Sequence, residues 1–141
     1  MTRDEIEALF ARRQEDYERL DAAALADDYS DDCVVETPLS GAPLIGREAN
    51  EEHFRKLFAA FPDLQRHTEG LLIDGDQVAE FGTGSGTDMG GFLELEPTRK
   101  AFRIPIVFLY TLKDRQIVRE RRIYDYTGLL VQVGILKVKP T

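Results

Sequence analysis

Residues 116–126 are Gln-Ile-Val-Arg-Glu-Arg-Arg-Ile-Tyr-Asp-Tyr, and residues 127–134 continue as Thr-Gly-Leu-Leu-Val-Gln-Val-Gly. The β-branched and aromatic residues of the first segment predict a long strand, which Gly128 ends. Because side chains alternate faces along a strand, a strand without a bulge places on one face Ile117, Arg119, Arg121, Ile123, Asp125 and Thr127. Asp125 is exceptional there, because aspartate is disfavoured in strands. Such a carboxylate is either paired structurally or kept for chemistry.

The composition of the 141 residues indicates one globular domain, residues 1–141. The chain is 43% hydrophobic and 31% charged, with a net charge of −8. This acidity argues against binding to nucleic acid or to an anionic membrane surface, since both attract clusters of Lys and Arg. No apolar run approaches the roughly 20 residues of a membrane helix, and the N-terminus lacks a signal region, so we expect a cytoplasmic protein. We expect the single Cys33 to be a buried, inert strand thiol.

Helical patterns come first in the chain and strand patterns follow. Thr2-Arg3-Asp4-Glu5 fits a capping box, and an apolar stripe at helical spacing follows it. Further helices are predicted at residues 22–29 and 49–61. Strands are predicted at residues 33–37, 64–73, 77–88 and 100–112, with a tight turn at Asp74-Gly75-Asp76. This order indicates an α+β fold with helices packed on one face of a sheet.

Glycine occupies every second position in part of the strand predicted at residues 77–88. Gly82, Gly84, Gly86 and Asp88 therefore share one face. Glycine weakens a strand interior, so the pattern indicates a sharp bend of the sheet or room for a ligand against bare backbone. The two explanations are compatible.

Several residues are candidates for the wall of a pocket or for the core. Tyr17 lies on the apolar stripe of the first helix, where it packs in the core or directs its hydroxyl into a pocket. His53 lies at the edge of the stripe of the third helix, as a structural or surface residue or as a pocket acid or base. Further candidate wall residues are Phe54, Phe58 and Tyr110. With two histidines at no regular ligand spacing, we expect no metal site.

The order and spacing of several short motifs resemble the SnoaL-like polyketide cyclases of the nuclear-transport-factor-2-like superfamily. The final segment contributes aromatic-Asp followed by Gly-Leu-Leu-x-Gln-x-Gly. Upstream the resemblance rests on Phe61-Pro62-Asp63-Leu64, Asp74-Gly75-Asp76, Gly86-Thr87-Asp88-Met89-Gly90 and Pro97-Thr98-Arg99-Lys100. It implies a cone in which three N-terminal helices close a strongly curved, mixed or antiparallel sheet over a pocket. It also implies a homodimer formed through the open sheet face.

The same resemblance implies roles for two carboxylates. Asp125 matches the aspartate that serves as acid/base in the characterised cyclases, and Asp88 stands where those proteins commonly have histidine. Closing an aldol ring requires removal of a proton α to a carbonyl and then protonation of an alkoxide. One carboxyl group whose pKa is raised by burial can do both. We therefore expect a cofactor-independent cyclase or isomerase for a small hydrophobic carbonyl compound, with Asp125 as acid/base and Asp88 assisting.

Other interpretations of these residues stay open. Asp125 is alternatively the partner of an arginine on a neighbouring strand, such as Arg103. Arg121 faces either the cavity, where it would bind an anionic or carbonyl-bearing ligand, or solvent. An Asp–Arg–Asp set of Asp88, Arg103 or Arg121, and Asp125 would indicate an epoxide hydrolase. The non-enzyme alternative is a ligand-binding or dimerisation module of the same fold. An enclosed pocket that contains Asp125 would favour an enzyme, and a filled core would favour an interaction module.

Overall fold

The computed structural model describes residues 1–139, so the last two residues of the predicted domain lie outside the described residues. The three predicted N-terminal helices are α1 (Arg3–Glu18), α2 (Ala22–Asp27) and α3 (Arg47–Ala60). The strands are β1 (Tyr29–Glu36), β2 (Leu44–Ile45), β3 (Gln65–Asp74), β4 (Gln77–Thr87), β5 (Ala101–Lys113) and β6 (Gln116–Tyr124). A single 3₁₀ turn (Phe92–Glu94) and a short helix α4 (Tyr126–Gln132) complete the chain.

The strands form one mixed, six-stranded sheet in the order β2-β1-β6-β5-β4-β3. Strands β3 to β6 are a meander of antiparallel hairpins, because neighbours in the chain are also neighbours in the sheet. Strand β1 joins the outer edge of β6 in parallel orientation and pairs with β2 on its other side. The predicted α+β class is confirmed, and α4 is a helix that the sequence did not predict.

The first helix begins where the capping box predicts. The Thr2 hydroxyl accepts a hydrogen bond from the Glu5 amide at 3.1 Å, and the Glu5 carboxylate accepts one from the Thr2 amide at 3.0 Å. These reciprocal bonds satisfy two donors that every helix N-terminus leaves open. Cys33 is a fully buried free thiol on β1. None of the helices in residues 1–139 combines the length and the apolar character needed to cross a membrane.

Strand β6 contains a bulge at Val118. Thr111 of β5 pairs with Arg119 while the next residue, Leu112, pairs with Ile117. One extra residue changes which face the following side chains occupy. The predicted common face of residues 117–127 is therefore wrong. Beyond the bulge the buried side chains are Glu120 and Arg122, and the exposed ones include Arg121 and Ile123.

Candidate functional site

A cavity of about 70 Å³ lies between the helices and the inner face of the sheet. It has room for on the order of five water molecules. Its walls are mainly apolar and come from α3, β5, β6 and α4, including Phe54, Phe61, Phe102, Ile104, Phe108 and Leu129. An open groove of about 520 Å³ adjoins it, and four residues line both spaces: Leu39, His53, Leu57 and Phe92. The groove and the cavity therefore share one wall.

Arg122 brings a positive charge into this apolar lining. Its Nε donates to Glu120 Oε2 at 3.1 Å, and its Nη2 donates to Glu120 Oε1 at 3.0 Å and to Asn50 Oδ1 at 2.9 Å. The Nη1 atom has no hydrogen-bond partner within residues 1–139. Burial lowers the pKa of Arg122, but its neighbours, above all the Glu120 carboxylate, raise it, and the pKa lies above its usual value. The side chain is therefore a buried cation with a spare donor.

His53 supplies a neutral imidazole to the wall that the cavity and the groove share. Its side chain is half-buried on α3. Burial, and then the charge of Arg122, lower the pKa of His53 to about 4. The ring is therefore neutral near pH 7, with one nitrogen that donates and one that accepts hydrogen bonds. Among the described residues, no group of three His, Cys, Asp or Glu side chains is placed to hold a metal ion.

Arg66 adds a second buried guanidinium to the lining. Its Nη2 donates to Glu80, which also accepts hydrogen bonds from the hydroxyls of Thr68 at 3.0 Å and Tyr110 at 3.2 Å. The guanidinium carbon lies 3.9 Å from the ring centroid of Tyr17 and 4.8 Å from that of Phe108. Stacking on the two rings stabilises the cation where water is excluded. Its Nε and Nη1 have no partner among residues 1–139.

The chain matches the family model of the SnoaL-like polyketide cyclases over residues 8–133. It belongs to the SnoaL-like polyketide cyclase family. The resemblance inferred from the short motifs is thereby confirmed. Among curated proteins, no match was found.

Solved structures show that the fold of this SnoaL-like protein is ketosteroid isomerase-like. AclR from Streptomyces galilaeus is similar with a TM-score of 0.83 and 23% identity, covering 99% of this chain and 87% of AclR. TsrD from Streptomyces laurentii gives a TM-score of 0.83 and 20% identity, covering 96% of this chain and 99% of TsrD. A Catenulispora acidiphila protein with a ketosteroid isomerase-like fold gives a TM-score of 0.76 and 18% identity, covering 99% of this chain and 100% of that protein. At these identities the likeness shows the fold alone.

The predicted pocket residues of this SnoaL-like protein divide into two groups. Tyr17, His53 and Phe54 line the cavity, whereas Phe58, Tyr110 and Arg121 do not. Phe58 stacks on Phe54 with ring centroids 5.8 Å apart, and the buried Tyr110 donates to Glu80. Arg121 is exposed, and its Nε donates to a carboxylate of β1 at 2.7 Å. The bulge in β6 turns this arginine outward and its neighbour inward.

Asp125 is exposed and does not line the cavity, so its expected burial is wrong. It caps α4, and its Oδ1 accepts a hydrogen bond from the Gly128 amide at 2.8 Å. The chain leaves the sheet here instead of continuing as a strand. The signal for this was an N-capping aspartate followed by Leu129 and Val133 at helical spacing.

Asp88 is fully buried, also outside the lining of the cavity. Its Oδ1 accepts hydrogen bonds from the amides of Gly91 at 3.1 Å and Phe92 at 3.0 Å. Its Oδ2 accepts from the amide and the hydroxyl of Thr98, both at 3.1 Å. The carboxylate thus holds the loop that places Phe92 in the cavity wall. The Asp–Arg–Asp set is not assembled in the cavity, because Arg103 is exposed as well.

Two glycines of β4 have different surroundings. A Cβ added at Gly82 would lie 1.9 Å from the His67 carbonyl oxygen, so the backbones of β3 and β4 approach closely there. Gly84 lines the cavity, and a Cβ at this position would meet nothing closer than Ile106 at 3.5 Å. One glycine therefore permits the close approach of β3 and β4 beside the register shift at residues 68–70, and the other leaves space in the cavity.

Proposed function

We propose that this SnoaL-like protein catalyses proton transfer, as part of a cyclisation or isomerisation, on a small and mainly apolar carbonyl compound. The observation that carries the proposal is the pairing of the neutral His53 ring with the Arg122 cation in one apolar cavity. Apolar walls with a few polar groups are typical of small-molecule sites. Family membership supports the reaction class.

His53 and Arg122 divide the chemistry in this proposal. The imidazole takes the proton α to the substrate carbonyl, and the resulting enolate oxygen is stabilised by the Arg122 guanidinium. The enolate carbon then attacks a second carbonyl carbon and closes the ring. The imidazolium returns its proton to the new alkoxide, which restores the neutral histidine. An enolate beside the ring offsets the charge of Arg122 and raises the proton affinity of His53 when it is needed.

The experiment compares His53→Gln with Asp125→Asn on a panel of open-chain dicarbonyl compounds, with ring closure and deuterium uptake at the α-carbon as readouts. We expect His53→Gln to lower turnover by roughly 10²–10⁴-fold, the usual contribution of a positioned acid/base. Asp125→Asn should stay within a few-fold of the wild-type rate. The reverse result would return the acid/base role to Asp125. If compounds of the panel bind but none is converted, the protein is better described as a non-catalytic binding module.

We also propose that the open sheet face forms a homodimer. Leu72, Leu109 and Ile123 are 66%, 39% and 45% exposed on β3, β5 and β6. Leu72 and Leu109 flank Ala79 in one cross-strand row, and Ile123 pairs with Val107 in the next. Sedimentation equilibrium should give twice the 16.0 kDa chain mass, and Leu109→Lys should shift it to the monomer. A monomeric wild-type protein would refute the dimer.

A further inference from the structure

We infer that the cavity takes an organic anion and that the anionic oxygen of this ligand, a carboxylate or an enolate, binds Arg122. The inference deepens the proposed function, because it names the chemical class of the substrate. The inference depends on the proposed function only in taking this cavity as the substrate site. Binding of an anion is measurable whether or not the ligand is converted.

The charge of the lining is the first support. Among the cavity-lining residues are two arginines and one histidine but neither Asp nor Glu. The whole chain, by contrast, has 26 acidic and 18 basic residues. The carboxylate partners Glu80 and Glu120 are bonded to Arg66 and Arg122 yet do not line the cavity. The cationic members of both pairs therefore line the cavity, where apolar walls screen their charge less than bulk water does.

The bonding of Arg122 is the second support. Glu120 and Asn50 occupy its Nε and Nη2, and Nη1 has no partner among the described residues. The residue is 6% exposed, and because Nη1 is not fully buried, water reaches this donor and a ligand oxygen would replace that water. In Arg66, the other arginine of the lining, Nε and Nη1 are buried without a partner among residues 1–139, which is unfavourable, and a ligand oxygen that reaches them would remove that penalty. Because the donor is charged, an anionic oxygen makes a stronger bond than a neutral one.

The two adjoining spaces suit a ligand with two unlike ends. The cavity of about 70 Å³ has room for the acidic group and a few neighbouring atoms. The groove of about 520 Å³ beyond His53 has apolar side chains from Leu44, Leu57 and Leu93. A compact apolar chain or ring that ends in an acidic group fits this arrangement. Such a ligand would place its charge at Arg122 and its apolar end toward the groove.

Matched probes test the inference without knowledge of the natural substrate. The probes are phenylacetate, 3-phenylpropanoate and 4-phenylbutanoate, each beside its neutral primary amide, with dissociation constants from NMR titration of the folded protein. We expect at least one carboxylate to bind about tenfold or more tightly than its amide. Equal binding of each pair, tighter binding of the amides, or no binding of any probe overturns the inference.

Variants locate the preference at Arg122. Arg122→Met alone leaves Glu120 buried without its partner and is expected to destabilise the fold. The double variant Arg122→Met, Glu120→Gln removes both charges together. Arg121→Gln is the matched control, because Arg121 is the neighbouring residue and lies outside the cavity. The carboxylate preference should disappear in the double variant and persist in the control.

The outcomes separate this inference from the proposed function. A carboxylate preference that survives the double variant overturns the role of Arg122. If the double variant does not fold, the decision passes to the amide signals of the wild-type protein: shifts centred on Arg122 and His53 support the inference, and shifts elsewhere overturn it. Loss of turnover in His53→Gln with an unchanged carboxylate preference leaves both proposals standing. Selective carboxylate binding without turnover refutes catalysis alone.

Discussion

Replacing His53 by glutamine should make the protein less sensitive to acid. The pKa of His53 is about 4 in the folded protein. Burial lowers it most, and the charges of Arg122 and Lys56 lower it as well, whereas the charge of Glu120 raises it. The unfolded chain holds the same ring near 6.5. Between these values the unfolded state binds more protons, so stability falls as the pH falls. The His53 contribution is fully present above about pH 6.5 and is lost as the pH drops through about 4.

The size of this effect follows from the two pKa values. Linkage over the interval from pH 8 to pH 5 gives roughly 2 kcal/mol of lost stability for a histidine that shifts from 6.5 to about 4. His53 is only half-buried, and solvent screening lowers the expected loss to roughly 1–2 kcal/mol. This is large against the 5–15 kcal/mol that typically separates folded from unfolded chains.

Urea unfolding at pH 8 and pH 5 measures the effect. Wild type and His53→Gln share every other titrating group, including His67, so the difference between their two pH-dependent losses belongs to His53. We expect the variant to lose roughly 1–2 kcal/mol less than the wild type between the two pH values. If both proteins lose the same free energy of unfolding, folding does not lower the pKa of His53, and the ring does not lie in the apolar, positively charged surroundings described here.

Three further predictions concern residues around the cavity. Gly84→Ala should leave the midpoint of urea unfolding unchanged and weaken binding of the carboxylate probes. Gly82→Ala should lower the midpoint, because its new carbon would lie 1.9 Å from the His67 carbonyl oxygen. Equal midpoints for the two variants would contradict this prediction. Asp88→Asn turns an NH₂ group toward hydrogen-bond donors and should cost about 2 kcal/mol or more in thermal unfolding, with faster proteolysis of residues 88–99. Asp125→Ala should cost about 1 kcal/mol as a lost helix cap and leave turnover unchanged, so a large loss of turnover would contradict its placement outside the cavity.

Local signals were sufficient to predict most of the fold. The strand predicted at residues 77–88 is β4 (Gln77–Thr87), because alternation and the Asp-Gly turn specify it over a short range. The helix predicted at residues 49–61 is α3 (Arg47–Ala60), ended by Pro62 as expected. Helix α4 was missed because the aromatic residues around Asp125 favour a strand, whereas the cap and the spacing beyond it favour a helix.

The candidate site was harder to predict, because it depends on contacts between distant segments. His53 reaches the cavity from α3, and its low pKa depends on Arg122, 69 residues later in the chain. Arg66 is buried only because Glu80, Tyr17 and Phe108 surround it. No local pattern marks an arginine as buried, since arginine is usually exposed. The sequence therefore suggested the exposed Arg121 rather than the two arginines that line the cavity.

A single inserted residue decides the charge that the cavity presents. In a β6 strand without the Val118 bulge, the face that carries Ile117 would continue through Arg119, Arg121, Ile123 and Asp125. The bulge exchanges the faces, so Arg122 and Tyr124 line the cavity and Glu120 lies buried behind them. The fully buried Glu120 in turn requires a cation, which fixes the guanidinium of Arg122 beside it. The positive character of the cavity therefore follows from the register of one strand, and neither composition nor motif order reveals it.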